Sequence, residues 1–147
     1  MTETLTKTHR GGCLCGAVRY TVEGPPAIVA QCHCEACQKW SGTGHTISAT
    51  FAAADLSLQG ETAEFRYMSE NGNEVTRLFC PRCGSPLLGR NTGLVGYLTI
   101  PLGTMDDVPD WRPQVAVFTR NRKHWDGLPA EAARFEAQPA WRPAKDG

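Results

Sequence analysis

The seven cysteines restrict what this chain can fold into more than any other feature. They fall as Cys13-x-Cys15, Cys32-x-Cys34-x-x-Cys37 and Cys80-x-x-Cys83. An odd number cannot be used up in disulfides within the chain. The first ten residues lack the apolar run of a secretory signal, and no stretch approaches the ~18 apolar residues needed to span a bilayer. The expectation is a cytoplasmic protein in a reducing compartment, whose cysteines are thiols or metal ligands.

Metal stoichiometry then divides the seven. In Cys80-Pro-Arg-Cys83-Gly a tight turn brings two thiolates to one ion, and the glycine after the second permits a left-handed backbone. Cys13 and Cys15 share one face of an extended segment and form the only other isolated pair. Zinc takes four tetrahedral ligands, so Cys13, Cys15, Cys80 and Cys83 are expected to close one structural site. Cys32, Cys34 and Cys37 remain, and three protein ligands with one open position is the arrangement of catalytic zinc. Three thiolates leave the loaded site with net charge −1, a poor Lewis acid toward water but a good partner for an incoming sulfur. The expectation is two zinc ions per chain, one structural and one labile, the second binding a small thiol. A competing reading makes the trio a second structural site completed by His33 or His45. His33, between two ligands on an extended segment, is expected to point away from them.

The rest of the sequence describes the carrier of these sites. With 147 residues, 41% of them hydrophobic, the chain suits one domain. Gly 15 and Pro 10 favour many turns, and hence a curled antiparallel β architecture with little helix. Val18, Tyr20 and Val22 alternate as one face of a strand, and Glu70-Asn71-Gly72-Asn73 reads as a hairpin connection. Glu35 to Lys39 suits a helical turn that Gly42 ends, Trp40 is either a wall of the open site or core packing, and a short helix is expected near residues 130–135. Fifteen basic and fifteen acidic residues cancel, so no nucleic-acid partner is expected, and no membrane either. The expected boundaries are a flexible tail at 1–10, one zinc-binding domain at 11–138 and a C-terminal tail at 139–147.

GGCLCGAVRY, CHCEACQKWSG, FCPRCGSPL and HWDGLP, taken in this order, resemble the glutathione-dependent formaldehyde-activating enzyme family. The pieces span Gly11 to Pro129. The resemblance implies a mainly β, Mss4-like fold with two zinc-binding turns. It makes Cys13, Cys15, Cys80 and Cys83 the structural ligands, and Cys32, Cys34 and Cys37 the catalytic ones. The reaction it implies is the joining of glutathione and formaldehyde as S-(hydroxymethyl)glutathione, a carbon–sulfur lyase activity. The partners would be a glutathione-like thiol and a small electrophile such as an aldehyde. Two other roles fit the same cysteine frame: a thiol carrier without catalysis, and a zinc-stabilised interaction domain.

Overall fold

The computed structural model describes residues 7–139. Residues 1–6 and 140–147, which make up most of the tails expected at 1–10 and 139–147, lie outside the described residues, Trp141 with them. The chain folds into two sheets. The smaller has the order β1 (Thr8–Gly12), β2 (Arg19–Glu23), β5 (Leu56–Gln59), all antiparallel. The larger adds β3 (Ile28–Cys32), β4 (Thr46–Ala52), β6 (Ala63–Met68), β7 (Glu74–Phe79), β8 (Pro86–Asn91), β9 (Tyr97–Pro101), β10 (Val115–Val117) and β11 (Ala133–Arg134). Its order is β11-β10-β3-β4-β9-β8-β7-β6. The one α-helix among the described residues, α1 (Glu35–Ser41), leaves β3 directly.

Alternation decides which faces are buried. Val18, Tyr20 and Val22 are at most 1% exposed, as their spacing predicts. Tyr20 and Val22 meet Val29, Phe51, Leu88 and Ile100 of the large sheet in one core between the sheets. Each such side chain contributes about 1.5–3 kcal/mol on burial. A smaller cluster of Cys13, Val18, Cys80 and Leu87 lies beneath the join between the sheets. The expected hairpin is present, with β6 and β7 paired from Ala63↔Phe79 to Met68↔Glu74.

Three expectations need correcting. The first strand begins at Thr8, inside the segment expected to be a tail, because His9 rather than an apolar residue fills its inward position. That imidazole is 4% exposed, packs edge-on against Trp111 and hydrogen-bonds the Gly24 carbonyl. The segment near residues 130–135 is strand β11, not a helix. The open edge of β10 takes it up: Ala133 N–H donates to the Gln114 carbonyl and Phe135 N–H to that of Ala116. The large sheet is also not wholly antiparallel, since β10 runs parallel to both β3 and β11.

Candidate functional site

Cys13 and Cys15 lie in the turn between β1 and β2, Cys80 and Cys83 in the turn between β7 and β8. Each turn aims backbone N–H groups at sulfur. Val18 N–H donates to Cys13 Sγ (3.3 Å), and those of Arg82 and Cys83 donate to Cys80 Sγ (3.4 and 3.5 Å). Gly84, at φ +78, supplies the left-handed residue that closes the second turn. The four Sγ atoms lie within 4.8 Å of one another, with Cys13–Cys15 at 3.6 Å and Cys15–Cys80 at 3.8 Å. A tetrahedron with metal–sulfur bonds of about 2.3 Å has edges of about 3.8 Å, so the spacing fits a zinc ion. The Ser85 hydroxyl, together with backbone N–H groups, holds the Cys83 thiol down at about 5.

The trio forms where β3 runs into α1. Cys32 ends the strand, Cys34 is the N-cap of the helix, and Cys37 sits one turn inside. Cys34 Sγ accepts the Cys37 N–H (3.3 Å), so a cysteine of the trio also serves as the cap. These three Sγ atoms too lie within 4.8 Å, and among the described residues no fourth His, Cys, Asp or Glu atom joins them. Hydrogen bonds from the Cys32 and Cys34 thiols hold the buried Cys37 thiol well below its ordinary value, aided by Arg77 and Thr46. The same bonds, with burial, push Cys32 up. Of the three sulfurs, Cys37 is thus the one at which negative charge is favoured.

That charge has a cation beside it. Arg77, on β7, places Nη2 3.4 Å from Cys37 Sγ and 3.1 Å from the Tyr67 hydroxyl, and its guanidinium lies over the Trp40 ring at 5.2 Å. Among the described residues it pairs with no carboxylate. Arg77, Tyr67, Trp40, Phe65, Glu35 and Lys39 line a recess of about 560 Å³ next to Cys37. Trp40 is thus a wall beside the trio. Trp125 is 60% exposed.

His33 does point away from the neighbouring cysteines. With His45 it turns to Asp126, whose Oδ2 is 2.6 Å from His45 Nδ1 and 3.4 Å from His33 Nδ1. Neither histidine joins the trio, which counts against the reading that one of them completes it. Sequence reasoning missed Arg77, Tyr67, Thr46 and Asp126. Asp126 had a signal, its place in HWDGLP; Arg77 had none, being one arginine among several on a strand.

Comparison with known proteins bears on both the fold and the cysteine frame. A Rhodobacter sphaeroides protein of known crystal structure superposes with a TM-score of 0.56 at 21% identity, over 69% of this chain and 91% of that one. This likeness concerns the fold alone. A Halomonas elongata protein named "Putative glutathione-dependent formaldehyde-activating enzyme" is 35% identical over 82 residues. The matched part is 52% of each chain, so the likeness spans about half the length of that relative. The family model for the glutathione-dependent formaldehyde-activating enzyme matches residues 8–121, a span that holds all seven cysteines and Arg77. The chain belongs to the glutathione-dependent formaldehyde-activating enzyme family.

Proposed function

We propose that this protein is a zinc-dependent enzyme of the carbon–sulfur lyase type. It binds a small thiol such as glutathione at Cys32, Cys34 and Cys37 and forms or breaks that thiol's adduct with an aldehyde. Cys13, Cys15, Cys80 and Cys83 hold a second, structural zinc. The observation that carries the reading is the contact of Arg77 with Cys37, at a cluster that offers three protein donors among the described residues. A zinc ion at the trio would supply a thiophilic centre that keeps an incoming thiol as its thiolate at neutral pH.

The chain's own residues account for the rest. Three thiolates and a divalent ion sum to −1, and the Arg77 guanidinium brings the neighbourhood to zero. The site can then accept another anion without accumulating charge. Arg77 and Tyr67 also present N–H and O–H donors beside Cys37, of the kind that stabilises an oxyanion developing on an attacked carbonyl. Trp40 and Phe65 give the recess an apolar wall. Glutathione as the thiol and formaldehyde as the aldehyde follow from the family description.

Zinc release to a chromogenic chelator tests the metal assignment. The expected result is about two zinc ions per chain leaving in two phases, the faster one altered by glutathione and abolished in Cys34→Ser. Uniformly slow release in both proteins, indifferent to glutathione, would overturn the open site. Comparing adduct formation with the uncatalysed mixture then separates an enzyme from a thiol carrier.

A further inference from the structure

The large sheet ends in two unlike edges. β11 is two residues long and offers almost no row of backbone groups, whereas β6 runs for six, from Ala63 to Met68. β6 pairs with β7 on one side, and among the described residues no strand pairs with its other side. Its register shows which backbone groups face outward. Ser69 N–H donates to the Asn73 carbonyl at 2.8 Å, in line with the pairing that runs from Met68↔Glu74 to Ala63↔Phe79. In an antiparallel pair, residues that exchange hydrogen bonds alternate with residues that do not. Ala63, Phe65 and Tyr67 therefore turn their N–H and C=O groups to β7. Glu64, Arg66 and Met68 turn theirs to the free edge.

The side chains do little to block that edge. Phe65 is 63% exposed and Met68 67%. Ala63–Met68 holds no lysine and no proline, and its pairing with β7 runs without a bulge. The charges it does hold are opposite. Glu64 and Arg66 are both exposed and pair with each other at 2.6 Å, a surface contact that contributes little on its own.

A second β6 laid antiparallel on this edge would hydrogen-bond through the same outward groups, so 64, 66 and 68 of one copy can bond only to 64, 66 and 68 of the other. Two registers of this kind keep five of the six residues of β6 paired, one centred on Arg66 and one on Phe65. Centring on Arg66 sets two guanidinium groups directly opposite each other, which is unfavourable. Centring on Phe65 sets Glu64 opposite Arg66 twice and Phe65 opposite Phe65. The strand is thus self-complementary in one register, as a two-fold interface requires. Phe65 stands opposite Arg77 in the β6–β7 register and stacks on Tyr67 at 6.2 Å, so its side chain is on the face that carries the recess.

We propose that the protein forms a two-fold symmetric dimer through β6, with the two strands antiparallel and centred on Phe65. The two large sheets become one continuous sheet. The recesses of the two copies then lie on the same face of it, on either side of the axis, and the Phe65 side chains that wall them meet there. This inference does not rest on the reading of the trio as a thiol site.

Sedimentation velocity of the zinc-loaded full chain, loaded from about 1 to 500 µM, tests it across the range of weak association. The mass is expected to rise from one chain toward two with concentration. Glu64→Arg and Arg66→Glu should each weaken the dimer about tenfold or more, because both cross-strand pairs become repulsive. An equimolar mixture of these two variants should dimerise again, and so should the double variant in which the charges are exchanged. Glu136→Arg, the same change of charge at an exposed position two residues past β11, should leave the dimer as it is. Should a charge variant not fold, Phe65→Thr removes the central aromatic pair while keeping a good strand former, and should weaken the dimer too. A wild type that stays at the mass of one chain throughout would overturn the proposal. A dimer indifferent to Glu64→Arg and Arg66→Glu would place the interface elsewhere and overturn it as well. Equal weakening by Glu136→Arg would make net charge the cause, with the same consequence. Single variants that do not recover on mixing would rule out the Phe65-centred register, and the proposal with it.

Discussion

A guanidinium taken out of water must be compensated by an anion or by acceptors, or it costs several kcal/mol. Arg77 finds one neutral acceptor, the Tyr67 hydroxyl, two aromatic faces, and the Cys37 sulfur. Its only anionic neighbour of these is thiolate, and the electrostatics run both ways: burial opposes the charge of Arg77, while Cys37 favours it. Replacing Arg77 by Met keeps much of the stem packing on Trp40 and removes the charge. The loaded trio would then take up a second anion with nothing to offset it. At an effective dielectric constant of about 20, one charge at about 5 Å is worth roughly 3 kcal/mol, and partial solvent screening reduces this. Half-saturation by glutathione is therefore expected to rise about tenfold or more in Arg77→Met, with Arg77→Lys in between. Isothermal titration of the zinc-loaded proteins measures this, and equal affinities would show that Arg77 serves packing only.

α1 has seven residues, too few to be stable alone, so its surroundings must hold it. Cys34 caps its start. The Gln38 amide then ties it to two other segments, donating to the His33 carbonyl at 2.8 Å and the Asn121 carbonyl at 3.0 Å. Gln38→Ala leaves both carbonyls short of a donor and should cost about 1–3 kcal/mol, the usual range for half-buried partners left unpaired. Because the helix carries Cys37, the fast phase of zinc release should quicken while the slow phase holds; unchanged release would mean that the capping cysteine suffices to hold α1. This helix was legible in the sequence because its signals are local: a run of helix formers ended by glycine. The hairpin between β6 and β7 was legible for the same reason. The parallel pairing of β10 with β3 and β11 was not, since a three-residue strand shows no periodicity and its partners lie far away in the chain. β1 was hidden because its inward residue is a histidine.

Across the whole molecule the two cysteine groups do different mechanical work. Cys15 and Cys80 are 65 residues apart in sequence, and the group they belong to joins the turn of the small sheet to the β7–β8 turn of the large one. Cys32, Cys34 and Cys37 close nothing longer than one turn of chain. These positions were readable in advance, because cysteines at such spacings have few uses other than metal binding in a reducing compartment. Arg77 and Thr46 reach the trio's surroundings only through the sheet, so nothing local marked them. In the chain-entropy picture of a cross-link, closing a loop of this length destabilises the unfolded state by about 4 kcal/mol, against about 2 for a loop of a few residues. The inter-sheet link also covers the small cluster of Val18 and Leu87, which would otherwise open to water. Cys80→Ser should therefore lower Tm by roughly 10 °C or more, given about 2–4 °C per kcal/mol at this chain length, and reduce the zinc content to about one ion. Cys34→Ser should lose the other ion with a shift of only a few degrees. Differential scanning calorimetry with zinc analysis on both variants checks the contrast. Equal shifts would mean that the closed site is no more a structural tie than the open one, and that the sheets are joined by their shared core alone.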